Sequence, residues 1–142
     1  MSQVYKEVRW MSIRIISPSV HGVLDYMSAI VLILAPSVLE FNEVSPFAYW
    51  LSVIAGIILI LYSLMTDYEF SIGMFIPVRV HLVVDSSAGV LFILWPFIFD
   101  FTGLALAYYL VIGFGILLVV ALTQSDEETQ LKEDHRNRNT DY

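Results

Sequence analysis

The chain of 142 residues contains no cysteine and little charge. The absence of cysteine excludes disulfide bonds, thiolate nucleophiles, cysteine-ligated zinc and iron–sulfur clusters. Only 15% of the residues are charged and 58% are hydrophobic, whereas an ordinary soluble domain has about 25% charged and about 45–50% apolar residues. The composition therefore predicts an integral membrane protein.

Basic residues are scarce and lie on one side of the predicted spans. Because they form no dense stripe, the sequence gives no support for nucleic-acid binding. The seven basic residues are Lys6, Arg9, Arg14, Arg79, Lys132, Arg136 and Arg138. The opposite side carries Glu40, Glu43 and Asp100 but no basic residue. By the positive-inside rule, we expect both termini to be cytoplasmic.

Four apolar segments have the length of a membrane span. They are Val20 to Phe41, Pro46 to Met65, Val80 to Phe101, and Leu104 to Thr123. A helix needs roughly 20 residues to cross a hydrocarbon core about 30 Å thick. The segments do not alternate between polar and apolar residues, as spanning strands would. We predict an all-α protein with four transmembrane helices, in the inner (plasma) membrane of a bacterium.

A duplicated motif is the most informative pattern in the chain. Val20-His21-Gly22-Val23-Leu24-Asp25 recurs sixty positions later as Val80-His81-Leu82-Val83-Val84-Asp85. The second and fourth spans match at an offset of fifty-nine, which pairs Gly56 with Gly115. Because each copy holds two spans, both copies should share one orientation, as parallel repeats do in transporters.

The duplication predicts five segments. These are a cytoplasmic or interfacial segment (1–17), the first repeat (18–67), a cytoplasmic linker (68–79), the second repeat (80–125) and a charged cytoplasmic tail (126–142).

Several short stretches between about residues 17 and 125 follow the pattern of a known family. They are Ala35-Pro36-Ser37, Trp95-Pro96-Phe97, Glu40-Phe41, Asp100-Phe101, His21-Gly22-Val23-Leu24-Asp25-Tyr26, Tyr62-Ser63-Leu64-Met65-Thr66-Asp67-Tyr68-Glu69 and Pro77-Val78-Arg79-Val80-His81. In these stretches the chain resembles the SPW-repeat integral membrane proteins, whose units join two membrane helices through a Ser-Pro-Trp-like turn. The resemblance implies the two-repeat membrane fold and no established activity.

The candidate site consists of His21, Asp25, His81 and Asp85. Residues four apart share a helix face, so each histidine neighbours the aspartate of its own copy. Small residues allow helices to approach closely, and six are expected to be helix-packing positions. They are Ser28, Ala29, Gly56, Ala88, Gly89 and Gly115.

The sequence leaves several functions open for these two pairs. They fix helix packing in an accessory or structural module of a membrane assembly, or they bind a proton, a cation, a metal or a haem. A membrane-bound redox or lipid-modifying enzyme is a further alternative, although no catalytic signature is present. Four slender helices bury little surface, so we also expect a homo-oligomer or a larger membrane complex. The lipid bilayer itself is the remaining partner.

Overall fold

A computed structural model describes residues 14–67, 72–73 and 75–124 of the chain. Its helices are α1 (Pro18–Val38), α2 (Phe41–Val44), α3 (Pro46–Met65), α4 (Val78–Ile98) and α5 (Gly103–Leu122). Within these ranges the only β-type pairing consists of two isolated bridges, Ile16 with Thr123 and Thr66 with Ile76. The charged tail, most of the N-terminal segment and part of the linker lie outside the described residues.

Four of the helices, α1, α3, α4 and α5, are long and apolar enough to cross a membrane, which confirms the prediction of four spans. Large apolar side chains such as Met27, Val83 and Phe114 are exposed along them. In water this surface would be unfavourable, whereas lipid chains cover it at no cost. The protein is therefore a multi-pass integral membrane protein.

Serine and proline define the starts of α1 and α3. The hydroxyl of Ser17 accepts a hydrogen bond of 3.3 Å from the backbone N–H of Val20, and Pro18 is the first helical residue. Ser45 and Pro46 repeat this arrangement at the start of α3. A serine cap satisfies a free N–H group of the first turn, and proline there lacks an N–H that would need a partner.

Matching turns end α1 and α4. Each helix continues for two residues beyond an internal proline, Pro36 or Pro96. The chain then passes through a left-handed residue, Glu40 with φ 55° and Asp100 with φ 52°. Residues other than glycine rarely adopt this conformation, so its occurrence at the same point of both turns marks a shared local structure.

Each of the two pairs of long helices forms an antiparallel hairpin. Helix α1 packs mainly against α3, and α4 packs mainly against α5. In the first hairpin, Ser52 donates a hydrogen bond to the carbonyl of Leu32 at 2.8 Å, and Ser63 donates to Asp25 at 3.3 Å. From the first contact to the second, the residue number rises on α3 and falls on α1. The two helices therefore run in opposite directions.

Glycine allows the closest approach within each hairpin. A Cβ atom at Gly56 would lie 2.9 Å from the carbonyl oxygen of Ala29, and one at Gly113 would lie 2.8 Å from that of Gly89. A Cβ atom at Gly115 would meet no atom within 4 Å. The close contact of the second hairpin thus lies two residues before Gly115, because α3 and α5 correspond at an offset of 57 and not 59.

Aromatic residues join the two hairpins at one end. Tyr109 on α5 donates a hydrogen bond of 2.6 Å to the carbonyl oxygen of Ala48 on α3. The hydroxyls of Tyr108 and Ser52 lie 2.7 Å apart. Because the single hydrogen of Ser52 goes to the carbonyl of Leu32, Tyr108 is the donor in this bond.

A cavity of about 470 Å³ lies between the hairpins and is lined by all four long helices. Its walls are mostly apolar, with Leu32, Phe92 and Ile112 among them. Ser28 and Ala88 also line it, so these two small residues face the space between the hairpins, whereas Ala29 and Gly89 lie at the contacts within them.

The glycine contacts generate the first prediction. We expect Gly113→Ala to lower the free energy of unfolding by about 1–3 kcal/mol, because its methyl group would overlap backbone atoms of α4. The matched control is Gly115→Ala, which meets open space and should change stability by less than about 1 kcal/mol. Thermal unfolding in mild detergent, followed by circular dichroism, measures both. Equal effects of the two substitutions would contradict the prediction.

Candidate functional site

Four buried ionisable side chains meet between α1 and α4. His21 and Asp25 come from α1, and His81 and Asp85 come from α4. Their exposed fractions are 1%, 6%, 0% and 5%. One nitrogen or oxygen atom from each lies within 4.8 Å of the others. We call these four residues the His–Asp cluster; all four were candidates from the sequence, and the fold brings them together.

The shortest contacts of the cluster cross between the hairpins. Nε2 of His21 lies 3.0 Å from Oδ2 of Asp85, and Nε2 of His81 lies 2.9 Å from Oδ2 of Asp25. The contacts within each helix are longer, at 3.4 Å for His21 with Asp25 and 3.2 Å for His81 with Asp85. Nε2 of each imidazole therefore lies beside two carboxylates, one from its own helix and one from the other hairpin.

The other nitrogen of each imidazole contacts a threonine at the end of a helix in the opposite hairpin. Nδ1 of His21 lies 2.7 Å from the hydroxyl of Thr123, and Nδ1 of His81 lies 2.7 Å from that of Thr66. Each threonine hydroxyl donates its only hydrogen to a carbonyl in its own helix, that of Val119 at 2.7 Å and that of Tyr62 at 2.9 Å.

Both contacts of each threonine hydroxyl are hydrogen bonds when the imidazole is protonated at Nδ1. When each threonine hydroxyl donates its hydrogen to a carbonyl, its oxygen can only accept the bond with histidine, and Nδ1–H of the imidazole donates that bond. In a neutral imidazole the lone pair then lies on Nε2, which points to the carboxylates. A lone pair facing a carboxylate oxygen at 2.9 Å is repulsive unless a proton or a cation lies between them.

The sequence did not single out Thr66 and Thr123 as site residues. The offset of fifty-nine between the second and fourth spans pairs Thr66 with Ser125. It therefore hides the equivalence of Thr66 and Thr123, which are 57 positions apart. A usable signal was present, because each threonine directly follows the last residue of a membrane helix.

The two halves of the cluster differ at two neighbouring positions. Ser63 on α3 is buried and donates a hydrogen bond to Oδ2 of Asp25 at 3.3 Å. Tyr62 also packs on the ring of His81, with centroids 4.3 Å apart. The corresponding positions of α5 hold Val119 and Val120. The position on α3 beside Asp25 is therefore polar, whereas the corresponding position on α5 is apolar.

The donor set suits a small ion better than a haem. Two imidazole nitrogens with two carboxylates form a ligand set that first-row transition metals accept. A haem held by His21 and His81 would need its porphyrin plane between the two rings, whose centroids are 5.7 Å apart. Asp25 and Asp85 already occupy positions against both Nε2 atoms, so a porphyrin would have to displace them.

The family model of the SPW repeat domain matches residues 19–125. This range includes both hairpins and the whole His–Asp cluster. The chain belongs to the SPW-repeat family. Comparison of this SPW-repeat protein with curated proteins and with solved structures found no match. The family assignment confirms the resemblance drawn from the sequence and leaves the chemistry to be argued from the site.

The crossed contacts generate a prediction for stability. We expect Asp85→Ala to lower the free energy of unfolding by about 3–5 kcal/mol, because two buried imidazoles are then left to share the single carboxylate of Asp25. The control is Ser86→Ala on the same helix, whose hydroxyl donates back to the carbonyl of Leu82 at 2.7 Å. Thermal unfolding in detergent compares the two variants. A loss in Asp85→Ala no larger than in Ser86→Ala would show that the crossed pairs contribute little.

Proposed function

We propose that this SPW-repeat protein is a small ion-binding module of the membrane, which holds protons or a cation at the His–Asp cluster. One observation carries the proposal: the Nε2 atoms of two buried histidines face two buried aspartates from both hairpins at 2.9–3.4 Å. Ionisable residues are costly in a membrane span and are commonly retained there for function. Two aspartates in this position require positive charge nearby to remain buried.

The cavity beside the cluster supports binding in preference to transport. His21, Asp25 and Asp85 line one part of it, and the remaining walls are mostly apolar. An ion crossing the membrane needs polar groups along its path to replace its water. Apolar walls provide few of them, so we assign storage or sensing of the ion to the cluster, and no catalytic step.

A structural role is the second candidate, and the same crossed contacts favour it. Each imidazole links its own helix to an aspartate of the other hairpin and to a threonine of the other hairpin. In this role the cluster joins the hairpins, and the protein is an accessory or structural module of a membrane assembly. A homo-oligomer or a larger complex would cover part of its exposed apolar surface.

The orientation follows from charge and from the duplication. We propose two tandem two-helix repeats in parallel orientation, with both termini in the cytoplasm of a bacterial cell and the His–Asp cluster near the cytoplasmic face. The support comes from the position of all seven basic residues and from the corresponding starts of α1 and α4, sixty residues apart.

Replacing both histidines separates the two candidate functions. We expect the double variant His21→Gln with His81→Gln to be expressed and folded but to bind no ion, because glutamine fills much of the space without an imidazole lone pair. The measurements are an absorption spectrum and metal analysis of protein purified from its native membrane, together with ¹⁵N spectra of its histidines across a pH series.

The outcomes of this experiment differ for each role. Metal, or a titrating imidazole, that is present in the unmodified protein and absent from the variant supports ion binding. Unfolding of the variant, with no metal and no titrating imidazole in the unmodified protein, overturns ion binding in favour of the structural role. Ser28→Ala, which alters the cavity wall beside the cluster, serves as the control.

The natural absence of cysteine makes the orientation directly testable. We expect Asn42→Cys, an exposed position between α1 and α3, to react with a membrane-impermeant maleimide on intact cells. Asp67→Cys, an exposed position after α3, should react only after the membrane is opened. The reverse pattern would place the basic residues outside and overturn the proposed orientation.

A further inference from the structure

We propose that the His–Asp cluster is a site for one divalent transition-metal ion of the Zn²⁺ type, and that the ion enters in exchange for two protons. This inference rests on the proposed ion-binding function and names the ion and the exchange. The ligands are Nε2 of His21, Nε2 of His81 and one oxygen each from Asp25 and Asp85. Thr66 and Thr123 are positioning residues outside the ligand set.

The distances suit such an ion. Bonds of about 2.0–2.1 Å in a tetrahedral zinc site separate the ligand atoms by about 3.3 Å. The four nitrogen–oxygen separations in the cluster are 2.9, 3.0, 3.2 and 3.4 Å. The 3.4 Å separation is to the second oxygen of Asp25, and one set of four ligand atoms lies within 4.8 Å of one another. Closing the site around an ion would therefore require the side chains to move until the longest separation shortens toward about 3.3 Å.

The threonines prepare both imidazoles for a metal. A histidine ligand uses one nitrogen for the metal and donates the hydrogen of the other to an oxygen, which fixes the tautomer. Thr66 and Thr123 accept these hydrogens here. Because this leaves the lone pair of each imidazole on Nε2, both histidines present to the cluster the form that binds metal.

The imidazoles also set the class of ion. Mg²⁺ and Ca²⁺ prefer oxygen ligands alone, and Ca²⁺ takes six to eight of them. A pair of imidazoles with two carboxylates instead favours zinc, manganese, iron or cobalt. No thiolate competes for the ion, because the chain has no cysteine.

Charge balance gives the number of protons. Two neutral imidazoles and two ionised aspartates carry a net charge of −2, which is unfavourable in a buried site. Two protons, each shared between an Nε2 atom and an aspartate oxygen, bring this charge to zero. One divalent cation does the same. Binding the cation therefore releases both protons to solvent, and the charge of the cluster is zero before and after.

The test counts bound ions and released protons together. The full chain is purified through a tag without histidine, in a His135→Gln background that removes the third histidine of the sequence. Chelator-treated protein in mild detergent is titrated with Zn²⁺ by calorimetry, in buffers that differ in their enthalpy of protonation. We expect one ion per chain and the release of about two protons for each ion bound.

Two substitutions examine the ligands and the positioning residues separately. Asp25→Asn removes one negative charge, so the number of protons released should fall by one, with weaker binding. The double variant Thr66→Val with Thr123→Val keeps every ligand but no longer holds the tautomer, and zinc affinity should fall about 10- to 100-fold. Thr102→Val, an exposed position before α5, is the matched control and should bind zinc as the unmodified chain does.

The outcomes distinguish this inference from the function on which it rests. Failure to bind Zn²⁺, in a folded protein whose histidines still titrate, overturns the metal site and leaves proton binding standing. Binding without proton release, or equal binding of Mg²⁺ and Ca²⁺, also overturns it. Failure to bind Zn²⁺ together with histidines that do not titrate overturns both the metal site and the proposed function.

Discussion

The fold depends on the need to neutralise two aspartates inside a membrane protein. Asp25 and Asp85 are almost completely buried, and each approaches an imidazole from the opposite hairpin at 3.0 Å or less. A buried carboxylate without a partner is unfavourable, and the contact of each aspartate with the histidine of its own helix is longer, at 3.4 Å and 3.2 Å. The crossed contacts thus connect the charge balance of the site to the way in which the hairpins associate.

The threonines extend this dependence to the ends of α3 and α5. Thr66 and Thr123 each accept a hydrogen bond from the histidine of the other hairpin while donating to their own helix. A helix end leaves carbonyl groups without a partner in the helix, and each threonine hydroxyl uses one of them to direct its oxygen toward an imidazole. The same two threonines therefore contribute both to the ends of α3 and α5 and to the hydrogen bonding of the cluster.

The two ends of the interface between the hairpins differ in chemistry. The His–Asp cluster contributes charged or charge-sharing contacts at one end. At the other end Tyr108 and Tyr109 contribute hydrogen bonds, and the ring of Tyr108 packs on Phe41 with centroids 5.2 Å apart. The cavity of about 470 Å³ lies between them. Two separate layers of contacts therefore hold the hairpins together, and their association does not rest on the cluster alone.

The membrane class, the four spans and the four candidate residues can be predicted from the amino-acid sequence, because apolar length and the four-residue spacing of His21 with Asp25 are local properties of the chain. The packing of the helices brings the two pairs together, makes the short contacts cross between the hairpins and sets Thr66 and Thr123 against the imidazoles. These features depend on the relative positions of helices far apart in sequence. The offset of 59 in place of 57 between α3 and α5 hid that Thr123 corresponds to Thr66. It likewise hid that Gly113 corresponds to Gly56.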